Sequence, residues 1–223
     1  MSDSEIEQLI EEGTIHSSSQ IDGFHPRKQK IEELIQYTME ERALIKAGFK
    51  KVESGEARLA AIMFTDIVEY TSQMGEDEQK TLQIMETNRV LHKFVIRQFG
   101  GTLHKEIGDG ILASFPSAGK AVKSAITIQM RLKDDPDLTL RIGIHLGEVV
   151  FKRGDIFGES VNIANRIMPL AAEGGICVSG EVNAQIHNKP EMNTISLHSA
   201  HLKGIKTPIK LYAVSTQGLP VPA

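Results

Sequence analysis

From Leu59 to Asp66 the chain reads LAAIMFTD, a continuous apolar run that ends at a threonine and an aspartate. An unbroken apolar run of this kind predicts a strand that is buried on both faces. A helical stretch is predicted from about residue 76 to 98, and Gly100 with Gly101 predicts its end. The segment therefore begins with a buried strand and a helix, and the strand ends at an aspartate.

Two short strands and a second helix come next. The strands, at about 102–107 and 111–115, flank a Gly-Asp-Gly sequence at 108–110, which is a strong hairpin signal. A helix is predicted over about 117–132, and alternating residues from Leu138 to His145 predict a strand with one buried face. The order β-α-β-β-α-β predicts an α+β fold with a ferredoxin-like core, in which helices cover one face of an antiparallel sheet.

Further elements flank this core on both sides. After it, the sequence predicts a helix at about 158–170, and then short strands and one small helix that extend the edge of the sheet. Before it, residues 1–57 are predicted to form a helical segment and a linker. The longer helix of that segment is interpreted either as a dimerisation or regulatory helix or as a helix packed on its own domain. We therefore divide the chain into residues 1–57, a main domain at 58–215 and a tail at 216–223.

Composition limits the possible functions. The 223 residues are 40% hydrophobic and 24% charged, which is ordinary globular usage. A net charge of −4 argues against a nucleic-acid-binding surface, because phosphate-backbone binding normally requires an excess of Lys and Arg. The single cysteine and the lack of signal-peptide features predict a cytoplasmic protein. The lack of an apolar run of about 20 residues predicts that the protein has no intrinsic membrane span.

Two aspartates are candidate metal ligands. Asp66 directly follows the buried strand, and Asp109 occupies the tip of a hairpin that this topology places beside that strand. Mg²⁺ takes hard oxygen ligands, often one or two carboxylates, and the backbone carbonyl of Ile67 would add another oxygen. The alternative interpretations are structural: Asp66 as a helix N-cap or turn residue, and Asp109 as the aspartate of an Asp-Gly turn.

Other polar residues suggest phosphate chemistry. Asn162 and Arg166 are four residues apart and so share one face of a predicted helix. An arginine can stabilise charge on a phosphoryl group, and an asparagine can position a ribose. A solvated helix face is the alternative. For Lys105 the alternative is an exposed lysine on a strand. His104 beside it is interpreted as a strand histidine.

Taken together, these residues resemble the catalytic domain of class III nucleotidyl cyclases, the adenylate and guanylate cyclases. The resemblance rests on three motifs: FTDIV at 64–68, KEIGDGILASF at 105–115, and DIFG at 155–158 leading to Asn162 and Arg166. It covers roughly residues 58–214, and the domain resembles the compact bacterial forms of the family. It implies a nucleoside triphosphate as substrate and divalent cations as cofactors.

The resemblance implies that Asp66 and Asp109, with the carbonyl of Ile67, bind two Mg²⁺ or Mn²⁺ ions, and that Lys105 and Asp155 read the purine. Adenine offers an acceptor at N1 and an amino donor at N6, which a lysine donor and an aspartate acceptor complement. Guanylate cyclases of the family usually carry a glutamate and a small polar residue instead. ATP is therefore the expected substrate.

For the remaining residues the resemblance implies contacts with the sugar and the phosphates. Asn162 and Arg166 match residues that orient the ribose and stabilise the transition state, and Lys203 matches a lysine that contacts the triphosphate, with Lys206 as the alternative. The implied products are 3′,5′-cyclic AMP and pyrophosphate, made at the subunit interface of a homodimer. A guanylate cyclase and a catalytically silent, cyclase-like regulatory domain are the alternative functions.

Overall fold

The computed structural model describes residues 55–70, 72, 77–152, 154–216 and 218–222. The helical segment predicted before the core lies outside the described residues. The strands are β1 Glu56–Ile67, β2 Thr102–Ile107, β3 Gly110–Phe115, β4 Leu140–Lys152, β5 Asp155–Phe157, β6 Ile176–Ser179, β7 Thr194–Ala200 and β8 Ile209–Val214. The α-helices are α1 Glu78–Gln98, α2 Ala118–Leu132, α3 Glu159–Ile167 and α4 Gly180–Ile186. Short 3₁₀ turns at Met168–Leu170 and Pro190–Met192 follow α3 and α4.

The strands of this part of the chain form one eight-stranded sheet in the order β2-β3-β1-β4-β6-β8-β7, with β5 paired to the end of β4. Strands β2, β3, β1 and β4 are antiparallel neighbours and confirm the predicted ferredoxin-like core. The C-terminal strands extend the sheet, as predicted. The sheet is mixed rather than purely antiparallel, because β6 runs parallel to β4.

The ends of the helices follow local signals in the sequence. Asp77 caps α1 by accepting a hydrogen bond from the backbone N–H of Lys80 at 3.0 Å. Gly100 ends the same helix with a φ of +69°, a conformation that favours glycine. Ser117 caps α2 in the same way as Asp77 caps α1. These signals explain why the predicted boundaries of both helices lie within two residues of the observed ones.

Two strands are longer than their apolar patterns predict. β1 begins at Glu56, and its first four residues are exposed. β4 runs on to Lys152, and Glu56 pairs with Phe151 across the two strands. Backbone hydrogen bonding therefore continues beyond the buried core, where hydrophobic patterning carries no signal.

The two helices of the ferredoxin-like core, α1 and α2, cover one face of the sheet, as predicted, and α3, which follows the core, covers the other face. Helices α1, α2 and α4 pack with Met63, Phe115 and other core residues on one face. Ala164 of α3 and Met168 just beyond it pack with Ile62 and other core residues on the opposite face. Gly143 of β4 permits this, because a Cβ there would lie 2.5 Å from the Met168 Cα.

None of the four described α-helices combines the length and apolar character needed to cross a bilayer.

Candidate active site

The hairpin between β2 and β3 brings Asp109 to the end of β1, where Asp66 lies. The backbone N–H of Ile67 donates a hydrogen bond to Asp109 Oδ2 at 3.0 Å. This bond ties the hairpin tip to the strand end across 42 residues of sequence. The structure thus brings the three candidate metal-binding residues together in one chain.

Two glycines make this approach possible. Gly108 takes a φ of +63° at the first position of the two-residue hairpin loop, where glycine is favoured. A Cβ on Gly110 would lie 2.7 Å from the carbonyl oxygen of Thr65 and 3.5 Å from Asp66 Oδ1. A larger residue at Gly110 would push the hairpin away from β1, so the Gly-Asp-Gly sequence serves the site as well as the turn.

The surroundings of Asp66 favour its protonated form. Burial, the charge of Asp109 and a hydrogen bond with Asp109 together raise the pKa of Asp66 to about 6, although the charge of Arg141 opposes the shift. Arg141 lies opposite Asp66 in the register of β1 and β4, and its guanidinium is 2.8 Å from Glu173 Oε1. The sequence does not single out Arg141, because its position opposite Asp66 depends on strand register. The alternating pattern of one strand does not define that register.

The donor set of this site fits a hard divalent cation. Two half-buried carboxylates that repel each other would be stabilised by a cation between them. Within the described ranges no group of three or more His, Cys, Asp and Glu side chains is placed to hold a metal ion. A site with two carboxylates leaves the remaining positions for the Ile67 carbonyl, water and substrate phosphates, as Mg²⁺ prefers.

Lys105 and Asp155 form an ion pair, with Nζ and Oδ2 2.5 Å apart. Asp155 Oδ1 also accepts the backbone N–H of Ile156 at 2.8 Å. Burial raises the pKa of Asp155, but the hydrogen bonds from Lys105 and Ile156 outweigh burial and hold this pKa below its ordinary value. Lys105 Nζ also lies 5.8 Å from the ring centre of Phe157. A donor and an acceptor therefore lie side by side between β2 and β5.

Helix α3 carries the remaining candidates. Asn162 is exposed and Arg166 is half-buried on the face that turns away from the core residues of the helix. The Arg166 guanidinium lies against Gly204, where a Cβ would be 3.7 Å from Nη1. Lys203 precedes this glycine and Lys206 follows two residues later, both with exposed side chains. The structure thus places the Arg166 side chain beside the loop that carries both lysines.

The candidate residues form three groups in the single chain. The groups are Asp66 with Asp109, Lys105 with Asp155, and Arg166 beside its loop. Among the described residues, no hydrogen bond or ion pair joins one of these groups to another. Asp66 and Lys105 lie on the face of the sheet that α3 covers. Lys105 pairs with a residue whose side chain packs in the core on that face, and strand alternation places Asp66 on the same face.

Comparison with known proteins identifies the domain. Residues 52–216 match the family model described as the adenylate and guanylate cyclase catalytic domain. A protein of Rhizobium meliloti named putative adenylate cyclase 3 is 34% identical over 173 residues, which cover 73% of this chain and 29% of that protein. The chain therefore spans less than a third of the length of this relative.

Solved structures share the fold. An adenylate/guanylate cyclase/hydrolase from Silicibacter pomeroyi is 33% identical with a TM-score of 0.64, over 73% of this chain and 99% of that one. The guanylate cyclase domain of RhGC from Catenaria anguillulae, crystallised with GTP, has 21% identity and a TM-score of 0.63, over 72% of this chain and 98% of that one. The latter likeness concerns the fold alone. With its family-model match and its ferredoxin-like core, the chain belongs to the adenylate and guanylate cyclase catalytic domain family, as a compact, bacterial-type class III domain.

Proposed function

We propose that the protein is an adenylate cyclase, which converts ATP to 3′,5′-cyclic AMP and pyrophosphate. The observation that carries the proposal is the Lys105–Asp155 pair, with its 2.5 Å contact between a donor and an acceptor. Lysine can donate to N1 of adenine and aspartate can accept from the N6 amino group. Guanine carries a proton on N1 and a carbonyl at position 6, so the same pair would face a donor with a donor.

The reaction is an attack of the ribose 3′-hydroxyl oxygen on the α-phosphorus. A new bond forms between that oxygen and the α-phosphorus, the bond from the α-phosphorus to the α–β bridging oxygen breaks to release pyrophosphate, and the hydroxyl proton leaves with the pyrophosphate or passes to solvent. Asp66 and Asp109, with the Ile67 carbonyl, would hold two Mg²⁺ or Mn²⁺ ions. When bound, such cations lower the pKa of the attacking hydroxyl and neutralise phosphate charge.

The other side chains position the substrate and stabilise charge. Asn162 would orient the ribose so that its 3′-oxygen faces the α-phosphorus, and the guanidinium of Arg166 would stabilise charge on the phosphoryl oxygens. Lys203, or Lys206 in the same loop, would contact the terminal phosphates. No covalent enzyme intermediate is needed, so positioning and electrostatics account for the rate enhancement.

We propose further that the active unit is a homodimer with each site at the subunit interface. Metal aspartates from one chain would meet the base-reading and phosphate-binding residues of the other. Exposed apolar side chains support an interface near the site, because Phe157 beside Lys105 is 50% exposed and Ile107 beside the hairpin loop is 49% exposed. A symmetric pairing would create two equivalent sites.

The test is to incubate the purified full chain with ATP or GTP and with Mg²⁺ or Mn²⁺, and to separate the cyclic products by chromatography. We expect cyclic AMP in excess of cyclic GMP, and loss of both products in Asp66→Asn, which keeps the shape of the side chain but removes its charge. An excess of cyclic GMP would identify a guanylate cyclase instead. No product under any condition would identify a catalytically silent domain.

A further inference from the structure

His104 occupies an irregularity in the pairing of β2 with β3. Leu103 pairs with Ala113 and Lys105 pairs with Leu112, so His104 is an extra residue on β2. In a regular strand, neighbouring side chains point to opposite faces of the sheet. A bulge interrupts this alternation, and here His104, which contacts Ser114, shares one face of the sheet with Lys105. Regular alternation would place these two neighbours on opposite faces.

The imidazole of His104 connects two strands with the β4–β5 turn. Its Nδ1 is 2.9 Å from the carbonyl oxygen of Gly154, and its Nε2 is 2.7 Å from Ser114 Oγ. Because a carbonyl oxygen only accepts, Nδ1 carries a proton and donates it to Gly154. In the neutral ring Nε2 then accepts the hydroxyl proton of Ser114. Gly154 directly precedes Asp155, so the ring holds the turn at the residue next to the base-reading carboxylate.

Packing fixes the orientation of the same ring. The ring of Phe151 lies 5.9 Å from the ring of His104 at an angle of 55°. The guanidinium of Arg58 lies 5.6 Å from the centre of the Phe151 ring. A ring held by two hydrogen bonds and an aromatic neighbour has little rotational freedom, so its contact with Gly154 constrains the turn.

We propose that His104 is a positioning residue for base recognition, which holds the β4–β5 turn against β2 so that Asp155 stays within reach of Lys105. The inference rests on the proposed function, because it assumes that this pair reads the purine. In this role His104 acts through its contacts with Gly154 and Ser114. Loss of its Nδ1 donor would free the turn and loosen the Lys105–Asp155 pair, so discrimination between ATP and GTP would fall.

Two amide variants separate the two hydrogen bonds of the ring. In His104→Asn the side-chain amide nitrogen takes nearly the position of Nδ1 and keeps the bond to Gly154. In His104→Gln the amide reaches toward Ser114, near the position of Nε2, and the bond to Gly154 is lost.

We expect His104→Asn to keep most of the wild-type ratio of kcat/KM for ATP over GTP. We expect His104→Gln to lose up to about tenfold of this ratio, mainly through KM for ATP, as for one lost hydrogen bond to a backbone carbonyl. Equal ratios in the two variants would overturn the inference.

Hydrogen exchange measured by mass spectrometry supplies a readout that needs no activity. Exchange in the peptide covering residues 150–158 should be faster in His104→Gln than in wild type and His104→Asn, while peptides from α1 remain unchanged. If the wild-type protein makes no cyclic nucleotide, the proposed function fails, but the exchange data still decide whether His104 holds the turn. Unchanged exchange in His104→Gln would refute the positioning role even in an active enzyme. Faster exchange with an unchanged ATP/GTP ratio would refute its role in base recognition.

Discussion

The buried imidazole of His92 is predicted to make the protein less stable at acid pH. His92 lies on α1 with no exposure to solvent, and its Nδ1 donates to the carbonyl of Asn88 at 2.8 Å. Its Nε2 has no hydrogen-bond partner among the described residues. Burial lowers the pKa of His92 to about 4, and the hydrogen bond to Asn88 offsets only part of this effect. The folded protein therefore keeps the ring neutral.

The size of the effect follows from the two pKa values. In the unfolded chain an imidazole has its ordinary pKa of about 6.5. As the pH falls below 6.5, the unfolded chain binds a proton that the folded chain does not, so stability is lost progressively down to about pH 4. Between pH 7.5 and pH 5 this single group costs about 2 kcal/mol of unfolding free energy. With an m value of about 2 kcal/mol/M, the urea midpoint falls by about 1 M.

The assay is urea unfolding of wild type and His92→Leu at pH 7.5 and pH 5, followed by circular dichroism at one protein concentration. Carboxylates titrate in both proteins, so the difference between their pH-dependent midpoint shifts isolates His92. Ser124→Ala is the matched control, because the Ser124 hydroxyl is also buried without a hydrogen-bond partner in the described structure but does not titrate. Ser124→Ala should keep the wild-type shift of the urea midpoint between pH 7.5 and pH 5. Equal shifts of the urea midpoint in wild type and His92→Leu would show that His92 does not cause the loss of stability at acid pH.

Three other predictions test packing, subunit sharing and thiol burial. Gly143→Ala should lower the unfolding free energy by about 2 kcal/mol in urea unfolding, because a Cβ there would lie 2.5 Å from a backbone atom of the turn that follows α3. A mixture of Asp66→Ala and Arg166→Ala chains should recover up to about a quarter of wild-type cyclase activity, since half the dimers are mixed and each has one intact site. Burial raises the pKa of Cys177 to about 12, so iodoacetamide at pH 8 should leave this thiol unmodified until urea unfolds the chain, as mass spectrometry would show.

Gly180→Ala is the control for Gly143→Ala, because its Cβ would meet its nearest neighbour at 3.3 Å, and we expect a change below about 0.5 kcal/mol. Similar effects of both substitutions would argue against close packing at Gly143. An inactive mixture of two folded single variants would argue against shared sites. Rapid alkylation of Cys177 in the native protein would contradict its burial.

Much of the fold was predictable because its signals are local. The apolar run before Asp66, the glycines after α1 and the Gly-Asp-Gly turn each lie within a few residues and identify the order of the elements. The ferredoxin-like core then follows, since that order has few compact arrangements. The candidate site residues came from motifs of the same short range, and their roles in catalysis remain predictions.

Local patterns in the sequence define the element order, the hairpin that carries Asp109 and the family resemblance. Three features depend on tertiary contacts instead: α3 covers the second face, Arg141 lies opposite Asp66, and His104 bonds to the β4–β5 turn. The physical reason is the range of the interactions. Turns and caps depend on neighbouring residues, whereas register and packing depend on backbone and side-chain contacts between segments that are distant in the chain, and no single segment encodes those contacts.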